Sequence, residues 1–214
     1  MPDSSPVAGN DDGVPAGYPV DLEVDERLRD GSTVRFRPIR PEDGDALVEF
    51  HEGLSVQSVY RRFFFVHPHL STLEVERFTH VDYVDRLAFA VFDDGRMVGI
   101  GRYERLPGTT EAEVAFVVTD DHQHLGMGTL LLDHLADAAI GHGIDRFTAQ
   151  TLAENRDMLG LFLSSGFPVR TTSSGGTVTL QFPIQPDEDY LSARASRRAL
   201  ADPMAGGPDP APGA

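Results

Sequence analysis

The run from Glu111 to Ile140 constrains this chain more than any other part of it. Apart from two glutamates, residues 111–118 are apolar, which predicts a strand. Residues 128–140 place Leu130, Leu131, Leu135 and Ala139 on one side of a helix, and Gly141-His142-Gly143 supplies its stop. Between strand and helix lies Gln123-His124-Leu125-Gly126-Met127-Gly128. A helix start presents unpaired N–H groups and the positive end of a dipole, which suits a pyrophosphate. Glycines at 126 and 128 let the backbone approach an anion with no Cβ in the way. The loop is not a nucleotide P-loop, because no Gly-Lys-Ser/Thr follows, and it lacks the third glycine of a dinucleotide fingerprint. By itself the pattern fits a tight strand-to-helix turn equally well.

Around this unit the chain predicts short strands and helices in one domain. Val20, Leu22 and Val24 alternate with acids ahead of the Asp30-Gly31 turn, and residues 34–40 alternate apolar and basic. Pro41-Glu42-Asp43 opens a helix carrying Ala46, Leu47, Phe50 and Leu54. Helices are predicted over 56–65 and 72–79, and strands over 86–93 and 96–103, with Asp93-Asp94-Gly95 as their turn. A strand over 147–152, a helix over 155–163 and a hairpin over 169–182 follow. Residues 1–19 read as a disordered arm and 20–185 as the domain. Residues 186–214 read as a mostly disordered tail with one helical candidate over 190–200.

Composition narrows the partners. Net charge is −16, with eight acids against two arginines in the first thirty residues. Such a surface repels phosphate backbones, so no nucleic-acid partner is expected; it attracts amines and cationic protein segments. All eighteen basic residues are arginine, a bias that a GC-rich genome alone would produce. Cysteine is absent, so disulfides and thiolate metal sites are excluded. The eight histidines show no His-x-x-x-His pattern, so no metal is expected. No apolar run approaches a membrane span and the start has no signal-peptide pattern, which predicts a cytoplasmic enzyme with no membrane partner.

Gln123-x-x-Gly126-x-Gly128 resembles the coenzyme A signature of the GNAT acetyltransferases. Asn155-x-x-Met158-Leu159-x-Leu161-Phe162-x-x-x-Gly166-Phe167 is similar to that family's last helix and the turn after it. The resemblance covers roughly residues 32–184. It implies an α/β (α+β) fold, a mixed, mostly antiparallel sheet with helices on both faces, and acetyl-CoA as co-substrate. It implies further that parallel strands ending near Val118 and Leu152 splay apart around the acyl-pantetheine. The main chain of Val117 and Val118 would then pair with the pantetheine as a surrogate strand. Residues Gln123, His124, Leu125, Gly126, Met127, Gly128 and Thr129 would hold the phosphates, and Asn155 would also contact the coenzyme.

Amide formation needs a neutral amine, and a lysine amine is almost wholly protonated at neutral pH, so a base must stand beside the acyl group. Alternation puts Glu113, Ala115 and Val117 on one face, and the resemblance assigns Glu113 the role of base. An otherwise apolar run suggests a partly desolvated carboxylate with a raised pKa. Where many family members carry a tyrosine that protonates the leaving thiolate, this chain has Phe162; water, a backbone N–H, Ser164 or Ser165 would substitute. His122 and His124 flank the loop's glutamine as polar surface residues.

Leu28-Arg29-Asp30-Gly31, Arg37-Pro38-Ile39-Arg40-Pro41-Glu42-Asp43, Tyr60-Arg61-Arg62-Phe63-Phe64 and Thr79-His80-Val81-Asp82-Tyr83 together resemble the catalytic domain of bacterial protein-lysine acetyltransferases. That implies a lysine-bearing protein substrate such as an AMP-forming acyl-CoA synthetase. The alternatives are acetylation of a small amine, or a catalytically weak acetyl-CoA-binding sensor.

Overall fold

The computed structural model describes residues 15–201. Eight strands, β1 (Val24–Arg27), β2 (Thr33–Pro38), β3 (Arg86–Asp93), β4 (Arg96–Arg105), β5 (Glu111–Val118), β6 (Arg146–Leu152), β7 (Arg170–Ser174) and β8 (Thr177–Pro183), form one sheet. Its order is β1-β2-β3-β4-β5-β6-β8-β7, and β5–β6 is its parallel pair. The helices are α1 (Gly44–Glu52), α2 (Val56–Phe63), α3 (Thr72–Thr79), α4 (Met127–Gly141), α5 (Arg156–Leu163) and α6 (Glu188–Ala201). Among the described residues no helix is long and apolar enough to cross a membrane.

Strand alternation divides the interior into two cores. Leu87, Phe89 and Val91 of β3 pack with Leu131, Leu132 and Leu135 of α4 and with Phe162 of α5. Ala88 and Ala90, pointing the other way, pack with Leu47, Phe50 and Val59 of α1 and α2. A strand covered on both faces needs apolar residues at consecutive positions, as the sequence of β3 has. Opposite α4, β4 carries Gly99 and Gly101. A Cβ at Gly99 would stand 2.8 Å from the Met127 sulfur, and one at Gly101 would stand 3.1 Å from both Leu131 and Leu135. These two glycines therefore let α4 lie close on the sheet, which sets its N-terminus beside the end of β5.

Two segments depart from the sequence reading. The strand expected from Val20 starts at Val24, and Val20–Leu22 is a 3-10 turn. The reason lies in β2, which ends at Pro38: a proline has no N–H to extend the ladder, and its carbonyl faces the buried Tyr18 hydroxyl at 3.3 Å. Order thus reaches Tyr18, inside the segment read as an arm; residues 1–14 lie outside the described part. At the other end α6 is a fourteen-residue helix docked on the body, longer than the candidate of the sequence reading. Tyr190 stacks on Phe167 at 4.2 Å, while Arg197 and the Tyr190 hydroxyl both reach Asp133 of α4. Residues 202–214 lie outside the described part.

Candidate active site

The parallel pairing of β5 with β6 runs from Glu111↔Arg146 through Ala112↔Phe147 to Glu113↔Thr148 and stops. Both strands continue, to Val118 and Leu152, so they part beyond Glu113. The gap opens into a cleft of about 430 Å³ lined by residues 114–118, the Gln123–Thr129 loop region and the start of α5. Backbone groups on its edges have no strand partner, and an extended ligand can supply one.

Parity decides which groups those are. Leu106 N donates to Glu111 O, and Thr119 N donates to Val98 O. With the unbroken register between, odd-numbered residues of β5 direct their amides to β4 and even-numbered ones to the gap. The main chain of Val117 is therefore committed to Ile100, which corrects the expectation that it offers itself to the ligand. The open groups belong to Phe116 and Val118, with the Val118 carbonyl already accepting from Gln123 Nε2 at 3.2 Å. The Val117 side chain instead lines the cleft wall.

At the wide end of the gap, α4 starts at a left-handed Gly126 with φ 94°. Among the described residues the N–H groups of Gly126, Met127 and Gly128 have no acceptor, while Thr129 N donates back to Gly126 O. These donors at the positive end of a fifteen-residue helix fit a pyrophosphate. The two loop glycines serve different ends. Gly126 supplies the positive φ; at Gly128 a Cβ would stand 2.7 Å from Leu161, so its smallness seats α4 against α5. Met127 sends its side chain into the core and Leu125 packs beside it, so their part in the loop is played by the backbone. His124 is exposed on the cleft with φ 64°.

Asn155 caps α5: its Oδ1 accepts from Met158 N at 3.2 Å, a contact worth about 1 kcal/mol. That leaves its Nδ2, without an acceptor among the described residues, on a residue that lines the cleft. Phe162 is buried between Phe116 and Phe182, each at 5.6 Å. Of the two serines weighed as donors, Ser164 lines the cleft. Ser165 is fully buried, donates to Phe162 O and accepts from Phe167 N, which makes it part of the turn.

Glu113 occupies the last paired position, at the vertex where the strands divide. It is exposed, in contrast to the partly desolvated setting its apolar neighbours suggested. Its side chain shares a face with Ala115, which lines the cleft and lies about 7 Å further along the strand.

A family model described as the acetyltransferase (GNAT) family matches residues 54–167, more than half of the chain. The chain belongs to the GNAT acetyltransferase family. The GNAT domain of S. lividans PAT is 41% identical, superposes with a TM-score of 0.74 and covers 78% of this chain and 99% of its own. Acetyltransferase PA5475 of Pseudomonas aeruginosa is 34% identical over 146 residues, 66% of this chain and 78% of the relative. Acetyltransferase Pat of Mycolicibacterium smegmatis is 32% identical over 135 residues; the match covers 62% of this chain and 40% of Pat. The expected mixed, mostly antiparallel fold is thus observed, and the chain is a GNAT-type acetyltransferase, of a family that uses acetyl-CoA.

In this GNAT enzyme the Gln123–Gly128 loop is tied down by Ser55, Ser58 and Asp120, which the sequence reading did not single out, and by Arg29, which it named only within a resembling motif. Asp120 accepts from Ser55 N, Ser55 Oγ and Ser58 Oγ of the α2 start, and Ser58 Oγ meets Gln123 Nε2 at 3.2 Å. Arg29, exposed in the β1–β2 turn, donates its N–H to Leu125 O and lays its guanidinium along Gly126. Ser55 and Asp120 lie 65 residues apart, so no local pattern announces them.

His122 fixes the same loop from the other side, between Asp121 at 2.9 Å and Asp93 at 3.0 Å. Burial opposes its charge, but the hydrogen bonds to the two carboxylates outweigh that and raise its pKa above 6.5. A group with a raised folded-state pKa contributes stability in full below its unfolded pKa of about 6.5 and loses it as pH rises through the folded value. The melting temperature is therefore expected to carry a falling component above about pH 6.5 that His122→Gln removes. Melting curves of both proteins across that range check this; an identical pH slope in the variant would sink it.

Proposed function

We propose that this enzyme transfers acetyl from acetyl-CoA to lysine side chains of folded proteins such as AMP-forming acyl-CoA synthetases, with Glu113 as the base. The observation that carries the reading is the position of Glu113: exposed, at the vertex of the gap, where a side chain arriving from outside reaches it. The ordered N-terminal motifs shared with protein-lysine acetyltransferases support it, as does the likeness to relatives named Pat and PAT. In the reaction the amine nitrogen attacks the thioester carbonyl, the C–N bond forms as the C–S bond breaks, and Glu113 takes the amine's proton. The thiol pKa of about 8.5 makes the thiolate a tolerable leaving group, so Phe162 in place of a tyrosine does not block turnover.

The loop holds the phosphates through the N–H groups of Gly126, Met127 and Gly128, and the pantetheine pairs with Phe116 and Val118. Asn155 Nδ2 adds a donor at the opposite wall. Comparing kcat/KM for an AMP-forming acyl-CoA synthetase with that for spermidine tests the acceptor. The protein substrate should win; a larger constant for spermidine moves the enzyme to the small-amine class, and transfer to neither supports an acetyl-CoA sensor.

A further inference from the structure

On the α1–α3 side of the sheet, beside the cleft, lies a second cavity of about 40 Å³, room for two or three water-sized groups. Arg62 of α2 and Arg102 of β4 both line it, and Arg62 lines the main cleft as well. The two guanidiniums are half-buried, and neither makes a hydrogen bond or ion pair to any oxygen among the described residues. Their close contacts are aromatic: Arg102 lies 4.1 Å from the Phe78 ring centroid and Arg62 lies 5.1 Å from that of Phe63. Most other arginines in the fold meet a carboxylate, as Arg37 does with Asp43 and Arg77 with Glu104. Glu113 attracts both groups and Glu104 attracts Arg102, but no carboxylate among the described residues touches either guanidinium. Two half-buried positive charges paired only at a distance are costly, and an arriving anion relieves the cost. Burial lowers the pKa of both groups, and Arg102 adds to the lowering at Arg62, so the distant pull of Glu113 on both and of Glu104 on Arg102 does not offset the cost of sheltering the charges.

Register places this pair with respect to the base. Arg102 faces Ala115 across β4–β5 while Glu104 faces Glu113, so Arg102 stands one strand over and two residues along from the base, on the same face. The phosphate loop lies at the far end of β5. An anion between the arginines therefore belongs to the molecule that brings the amine. We propose that this cavity seats a carboxylate of the acyl acceptor, an acidic side chain flanking the acetylated lysine. The proposal rests on the protein-lysine reading above. It also resolves a conflict of charge: a lone ammonium approaching two guanidiniums is repelled, whereas a segment carrying both lysine and acid meets Glu113 with one and the arginines with the other.

Paired peptides, lysine flanked by glutamate or by glutamine, test it in the wild type and in the Arg62→Gln and Arg102→Gln variants. The wild type should favour the glutamate peptide by about tenfold or more in kcat/KM, the usual scale for a charge-assisted contact. In each variant the ratio should fall toward one. Because the ratio is taken within one protein, a loss of stability cancels from it. Where turnover is absent, calorimetric peptide affinity in the presence of coenzyme A gives the same ratio. A wild-type ratio near one for the peptides and for lysine against lysinamide alike, or a ratio unchanged in Arg102→Gln, overturns the proposal. So does a guanidinium-dependent preference for succinyl-CoA over acetyl-CoA, which would put the carboxylate on the donor. If the preference appears between lysine and lysinamide and not between the peptides, the carboxylate site stands and the protein-lysine reading falls.

Discussion

Glu113→Gln should lower turnover by about 10²–10⁴-fold while leaving acetyl-CoA affinity nearly unchanged, the usual span for losing a general base. The split follows from position. Glu113 stands at the vertex of the gap, away from the Gln123–Gly128 loop proposed to hold the phosphates, and the variant keeps the shape of the side chain while removing its proton affinity. The pH profile carries a second mark of the role. Without a base, only the neutral amine reacts, so the variant's rate should climb about tenfold per pH unit toward the amine pKa near 10.4. Steady-state rates between about pH 7 and 9, with coenzyme affinity measured separately, decide the matter. A loss below tenfold across that range removes Glu113 from the role of base.

Gly126→Val should weaken acetyl-CoA binding about a hundredfold or more, the loss expected when two charge-assisted hydrogen bonds are misaligned. At φ 94° a β-branched residue is strained by about 1–3 kcal/mol and relieves the strain by turning the peptide units that carry the donors. Contact with neighbours plays a smaller part, since a Cβ there would lie 3.4 Å from Arg29. Gly126→Asn should consequently lose less affinity than Gly126→Val, because asparagine tolerates the left-handed region. Calorimetry on variants with native circular dichroism reads both. Native affinity in a folded Gly126→Val protein would mean that the loop does not hold the phosphates.

Much of this site could be read from the chain because its parts are local. An apolar strand, a glycine loop and an amphipathic helix follow one another within thirty residues, and each is encoded by its own periodicity or turn chemistry. The helix beginning near Asn155 and the two-residue alternation placing Glu113, Ala115 and Val117 on one face were equally accessible, although the capping role of Asn155 was not. So was the need for a glycine at 126, although not the division of labour with Gly128, because the neighbour that crowds Gly128 is Leu161, on another helix.

Tertiary structure alone decided whatever depends on pairing between distant segments. Side-chain alternation within β5 says which residues share a face, but whether an amide points to β4 or into the gap depends on the register against β4. That is why Phe116, and not Val117, shares the open edge with Val118. The end of the parallel pairing at Glu113↔Thr148 has no local signal either, since residues 114–118 read as strand whether or not a partner is present. Burial follows the same rule: an apolar run suggested a sheltered Glu113, and the shape of the surrounding elements left it exposed. The meeting of Arg62 with Arg102 across forty residues belongs here too, as does the docking of α6, through Tyr190 and Arg197, on Asp133. Local sequence fixes dihedral preference and side-chain period, whereas register, separation and burial are set by the packing of the whole chain.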